Sequence, residues 1–147
     1  MVPNPSINLS IDMEGGEIDL DIKSAQSFEA GKALISQHLY TESVHCFYYS
    51  VLQMMKYRLA NCKKGSRSYE EQSEIPKRDK KSSHEWLFYE VNPKFNGKNK
   101  VNFKEDFTVL KESRVAADYS KRSFTVDESL ECQQTAERLL GKLRNIH

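Results

Sequence analysis

One long apolar stripe constrains the fold of this chain more than any other feature. Val44, Tyr48, Val51, Met55, Leu59 and Cys62 recur at steps of four, three, four, four and three residues. That is the spacing of a single helix face, sustained over about five turns. Phe47 and Leu52 widen the stripe, and Thr41 stands where an N-cap is expected. A helix with so broad an apolar face must be covered on several sides, so this segment is expected to be the central helix of a helical domain.

The rest of the chain supplies the cover. Residues 24–39 carry Ala25, Phe28, Ile35 and Leu39 with Ala30, Ala33 and Leu34 between them. Ser82 and Glu85 have capping-box spacing and open a short helix through about Val91. Asn92-Pro93 ends it, because a residue before proline avoids the α region. Asn96-Gly97 marks a turn. Val101 to about Arg122 places Phe103, Phe107, Leu110 and Ala117 on one face. A second capping box, Thr125 with Glu128, begins a last helix whose face is Cys132, Ala136, Leu139 and Leu143. The polar stretch 63–81, with Gly65 and Pro76, reads as a long loop with room for a short helix after Ser68. Five helices with mostly short links predict an all-α, up-and-down antiparallel bundle over residues 23–147.

Residues 1–22 follow a different period. Ile7, Leu9, Ile11 and Met13 alternate with polar residues, and Ile18, Leu20 and Ile22 do so again after Gly15-Gly16. That pattern predicts a β-hairpin. Its other face opposes Asp12 to Asp19 and Glu14 to Glu17, and facing like charges are destabilising. The alternative is an acidic arm without fixed structure.

The 147 residues fit one domain, and 22 basic against 21 acidic side chains leave a net charge of +1. This balance excludes a chain coated in positive charge but allows local patches. No run approaches the roughly 20 apolar residues that span a bilayer. The opening MVPNPSINLS has neither a basic start nor an apolar block, and is not expected to be a secretory signal. Cys46, Cys62 and Cys132 are widely spaced without a CxxC pair, which predicts reduced thiols in a cytoplasmic protein rather than disulfides or a zinc site. Neither HExxH nor a glycine-rich phosphate loop occurs, so no metal or cofactor is expected.

Arg114 is the most informative single residue. The stripe 103, 107, 110 continues at 114 and 117, so an arginine stands where an apolar residue is expected, with Asp118 one turn on. A guanidinium facing a core must be paired. It is then either a structural partner of Asp118 or the cation of a phosphate-binding cleft. Tyr48 and Tyr49 sit mid-helix, and a polar pocket among Tyr48, Arg114, Asp118 and Tyr119 is the functional alternative to plain aromatic packing. His84, at a helix start, is either a capping residue or a general base. His45 shares a helix face with Tyr48. Residues 56–81 hold nine Lys or Arg against four acids, residues 1–22 hold five acids and no base, and Lys94, Lys98, Lys100 and Lys104 interleave with Phe95 and Phe103. Such basic stretches are either solvated loops, a grip on a nucleic-acid backbone, or a dock for the acidic arm.

The order of these features resembles the HEPN family (higher eukaryotes and prokaryotes nucleotide-binding domain). The likeness covers residues 23–145. It lies in the tyrosine pair of SVHCFYYSVLQMMKYRL, the histidine of SSHEW after a variable polar loop, the segment LKESRVAADYS, and the final amphipathic helix. Tyr48-Tyr49 and Arg114-x-x-Ala117-Asp118-Tyr119 are similar to one prokaryotic branch. The resemblance implies a HEPN-like bundle, usually a homodimer, that works with RNA or nucleotides. Many relatives are the toxin or accessory half of a pair with a nucleotidyltransferase-type partner, and others are defence ribonucleases. The nuclease branches carry an arginine, four to six intervening residues and then a histidine near the start of a late helix. Here VAADYS follows Arg114 without one, and only Arg78 precedes a histidine, His84, at such a spacing. The expectation is therefore a non-catalytic protein that binds RNA or nucleotide, or pairs with such a partner, through Tyr48, Tyr49, His84, Arg114, Asp118 and Tyr119. The alternatives are a metal-independent endoribonuclease using His84 with Arg78 or Arg114, and a plain dimeric interaction module.

Overall fold

A computed structural model describes residues 16–147, and among these the chain is all-helical. Six α-helices follow one another: α1 (Leu20–Ser36), α2 (Tyr40–Asn61), α3 (Tyr69–Arg78), α4 (Ser83–Val91), α5 (Gly97–Tyr119) and α6 (Val126–Leu143). A 3-10 turn, Asn92–Lys94, links α4 to α5. This is one α-helix more than the five expected. The addition is α3, nucleated in the polar stretch by a full capping box between Ser68 and Glu71.

α2 is the hub and packs against each of the other five helices. Val44, Phe47, Tyr48, Val51 and Met55 are wholly buried, with Leu52 and Leu59 at 1% exposure. The side-chain bonds fix the helix directions. Ser24 meets Ser50 and Phe28 meets Phe47, so α1 runs antiparallel to α2. His45 lies by Asp118 and Tyr49 by Arg114, so α5 is antiparallel to α2 as well. Arg138 reaches Asp106, and the Phe124 amide meets Thr41 while Lys63 meets His147, so α6 runs alongside α2 in the same direction.

The α1–α2 seam is close-packed. Ser24 Oγ donates to the Ser50 carbonyl at 2.6 Å, and Ser50 Oγ donates back to the Ser24 carbonyl at 2.8 Å. A Cβ on Gly31 would fall 2.6 Å from Phe47 Cε1, so only glycine lets that ring lie on the α1 backbone.

Several boundaries differ from the sequence expectation. The second strand of the hairpin does not form, because Leu20 and Ile22 stand in the first turn of α1. Asp19 accepts a hydrogen bond from the Leu20 amide, and Asp21 adds negative charge to the first turn, both favourable at a helix start. Tyr69 Oη also donates to Asp19, at 2.6 Å. The first strand lies outside the described residues. At the other end α1 stops at Ser36, because His38 takes a left-handed φ of 64° to turn the chain. Leu39 is left at the N-cap of α2, 41% exposed, rather than on the core face of α1. Thr41 is not the cap; its Oγ1 accepts from the Phe124 amide instead. α5 spans Gly97–Tyr119 rather than Val101–Arg122, whereas the Thr125–Glu128 capping box opens α6 as predicted.

Candidate functional site

Two helices, α4 and α5, converge on the N-terminal half of α2. Its pitch turns Tyr48 into the core and swings Tyr49, about 100° round, to the seam with α5. His45 lies one turn before Tyr49 and stacks on it, with ring centroids 4.5 Å apart. The antiparallel α5 brings Arg114 level with Tyr49 and Asp118 level with His45. α4 is capped by Ser82, whose hydroxyl accepts from the Glu85 amide, and this places His84 over Tyr48.

The Arg114 guanidinium lies over both tyrosines, 5.3 Å from the Tyr48 ring centre and 5.8 Å from that of Tyr49. Both distances suit a cation–π contact. Its Nη2 donates to the Tyr49 hydroxyl at 3.3 Å. Its Nε is 3.1 Å from Asp118 Oδ2, close enough for an ion pair. The N–H is not directed along that line, however, so this buried Nε–H has no hydrogen-bond partner. The same Asp118 oxygen lies 3.5 Å from His45 Nδ1. The Arg114 side chain is 16% exposed and that of Asp118 26%. Burial works against the charge on Arg114, but the Tyr49 hydroxyl and Asp118 outweigh it and leave its pKa above the usual arginine value.

On the far side of Arg114, Tyr48 Oη and His84 Nδ1 are 3.2 Å apart, a hydrogen bond whose direction follows the imidazole tautomer. Burial pushes the Tyr48 hydroxyl up to about 12, with Arg114 pulling the other way. Burial also depresses the His84 pKa, and the charges of Arg114, Lys56 and Lys111 depress it further. At neutral pH the cluster therefore presents a neutral imidazole, a protonated phenol and a charged guanidinium, with two more cations close by.

Tyr48, Tyr49, His84, Arg114 and Asp118 are brought together. Tyr119 is not; it follows Asp118 at the end of α5, turned to solvent and 77% exposed. Nor does Arg78 approach His84. It ends α3 with its guanidinium on Asp79, at 3.1 Å. His84 and Arg114 meet instead, across the two tyrosine rings. No motif marks Lys111, although it lies one turn before Arg114, and Lys56 shows only as the start of the basic stretch 56–81. His45 was visible only through its spacing to Tyr48.

Beside the cluster, a groove of about 630 Å³ runs between α4 and α5, lined by Glu85, Phe88, Tyr89, Phe107, Lys111 and Val115 among others. Among the described residues no helix is long and apolar enough to cross a membrane, and no group of three or more His, Cys, Asp or Glu could hold a metal ion. The three cysteines are free thiols, with Cys62 and Cys132 buried. Comparison of the chain with family models, with curated proteins and with solved structures gives no match.

Proposed function

We propose that the chain is a non-catalytic HEPN-like protein that binds RNA or a nucleotide through the Arg114 cluster. The observation that carries this reading is the guanidinium itself. It lies over two tyrosine rings, mostly buried, with its Nε–H lacking a hydrogen-bond partner. A purely structural arginine is expected to have its donors satisfied. A phosphate oxygen at the seam would meet the exposed edge of the guanidinium, whose side chain is 16% exposed, with Lys111 and Lys56 adding charge and Tyr49 and His45 an aromatic edge. The tyrosine pair and the RVAADY segment, which resemble the HEPN pattern, support the same reading. The non-catalytic part rests on the absent late-helix histidine and on the complete burial of Tyr48, which keeps a scissile phosphate from the space between Tyr48 and His84. Homodimerisation and pairing with a nucleotidyltransferase-type protein belong to this proposal. Tyr89 and Val115, 63% and 41% exposed beside the cluster, support a partner seam there.

A second reading, a metal-independent endoribonuclease, is favoured by one observation: His84 has a depressed pKa and stands across the tyrosine rings from Arg114. A neutral imidazole accepts a proton from a 2′-hydroxyl, and a guanidinium stabilises the phosphate charge that develops. One experiment separates the two. Labelled single-stranded RNA is incubated with the protein in excess chelator, beside His84→Ala and Arg114→Ala, and both binding and cleavage are followed. The proposal expects binding weakened about tenfold or more by Arg114→Ala, in line with the loss of a charge-assisted hydrogen bond, and no cleavage. Cleavage that both variants abolish would establish the nuclease. No binding and no cleavage by the folded protein would remove both.

A further inference from the structure

A second cationic site lies at the opposite end of the bundle. A pocket of about 950 Å³ opens where the chain leaves α2, enters α5 and finishes α6. Five cations line it: Lys63, Lys64, Lys94, Lys142 and Arg138. No Asp or Glu side chain is among its lining residues. Arg138 is already neutralised by Asp106, at 3.1 Å. Among the described residues the four lysines have no carboxylate partner within ion-pair distance. A surface pocket with four uncompensated ammonium groups repels cations and attracts anions of more than one charge.

The pocket is also built rather than merely charged. Lys94 Nζ donates to the Lys64 carbonyl at 2.8 Å, which ties the 62–67 loop to the turn before α5 and fixes where Lys63 and Lys64 stand. Gly65, with a φ of 66°, makes the bend. Phe95 and Ile146, each 8% exposed, supply an apolar floor, and Asn99 and Asn145 place amides at the wall. The first turn of α5, which carries Asn99, has no side-chain cap, and its free amides add positive potential. α2 and α6 both end at the pocket, and their C-terminal carbonyls carry partial negative charge that the lysines offset.

We infer that this pocket is a second phosphate-binding site and that its ligand is the backbone of a single-stranded RNA. The inference rests on the RNA-binding reading above. The choice of a strand follows from distance. Helix rise sets Tyr48 and Asn61, which mark the two sites along α2, roughly 20 Å apart, farther than one mononucleotide reaches. A strand touches both sites, whereas a free nucleotide occupies only one.

The test is a fluorescence anisotropy titration at several salt concentrations. The probes are a labelled 20-nucleotide single-stranded RNA, a labelled trinucleotide and labelled adenosine triphosphate. The proteins are the wild type, Lys64→Gln/Lys142→Gln and Arg114→Gln, each first shown by circular dichroism to melt as a folded helical protein. The double lysine variant should bind the 20-mer at least fivefold more weakly, with a log–log salt slope shallower by about 1.4, the value for two lost contacts to a single strand. Trinucleotide binding at the Arg114 cluster should be unchanged. If the lysine variant binds the 20-mer like the wild type while Arg114→Gln weakens it, the pocket is overturned and the RNA-binding reading stands. If the triphosphate binds and the lysine substitutions abolish that binding without affecting the 20-mer, the ligand is a free nucleotide and the strand is overturned. If the wild type binds none of the three probes, both readings fall.

Discussion

Two seams meet on α2 and solve opposite problems. Toward α1 the helix presents Ser43, Phe47 and Ser50, all wholly buried, and the polar atoms of the Ser24–Ser50 pair are matched. Toward α5 it presents His45, Tyr49 and the edge of Tyr48, and there it meets a guanidinium, a carboxylate and the His84 imidazole, with one buried N–H left over. The first seam has the density and hydrogen-bond completeness of a scaffold. The second accepts a desolvated charge that an apolar side chain of similar size would avoid. The first has the character of a scaffold, and the second is where the proposed binding at the Arg114 cluster lies.

That division is broken or sharpened by substitutions on each side. Phe47→Ala should have the largest effect, a loss of about 3–5 kcal/mol in chemical denaturation, because the ring is wholly buried. Gly31→Ala should cost about 1–3 kcal/mol through overpacking, since the new methyl meets the Phe47 ring and its small gain in helix propensity does not offset the clash. A wild-type melting curve for Gly31→Ala would mean that the α1–α2 seam is looser than described.

Arg114→Met should change stability by less than about 1 kcal/mol, because Asp118 is exposed enough to be solvated once its partner is gone. The same variant should lose RNA binding. A large loss of stability from Arg114→Met would move the second seam into the scaffold and end the comparison.

The smallest effect concerns pH. His84 has its folded pKa pushed below the ordinary 6.5 by burial and by Arg114, Lys56 and Lys111. Below pH 6.5 the unfolded chain therefore takes up the proton first, so stability present at neutral pH declines as the pH falls toward the folded value. Melting curves from about pH 7.5 down to pH 5 should show this decline, and His84→Gln should flatten it. A slope that survives in His84→Gln would assign it to other groups.

The sequence carries the two seams unequally. The α2 stripe and the Ser82 and Thr125 caps are local patterns, and local physics decides them. Arg114 stood out because it interrupts an apolar period, again a local signal. Its partner Tyr49 is 65 residues away, and Tyr48 and His84 are 36 apart. No periodicity encodes such meetings, which follow from how helices cross. Tyr119 stands apart from the cluster for a geometric reason: one residue past Asp118, the helix has turned by 100° and faces water. Arg78 pairs with Asp79 instead of His84, because a matching spacing carries no information about the loop between them. The hairpin failed where three alternating apolar residues, Ile18, Leu20 and Ile22, suit either a strand or a helix start, and the Asp19 cap decided between them.

One further feature bears on ligand length. Phe95 at the basic pocket stacks near Phe103, Phe103 on Phe107, and Phe107 beside Tyr48 under Arg114, at centroid separations of 4.6, 6.2 and 6.0 Å. α2 and α6 are also pinned at both ends, by Thr41 to Phe124 and by Lys63 to His147. An aromatic spine joins the two ends, and on the two-site proposal it acts as a gauge. A strand too short to reach from one end to the other then gains from one end only. Affinity should then rise in a step, rather than smoothly, at the oligonucleotide length that first spans the spine.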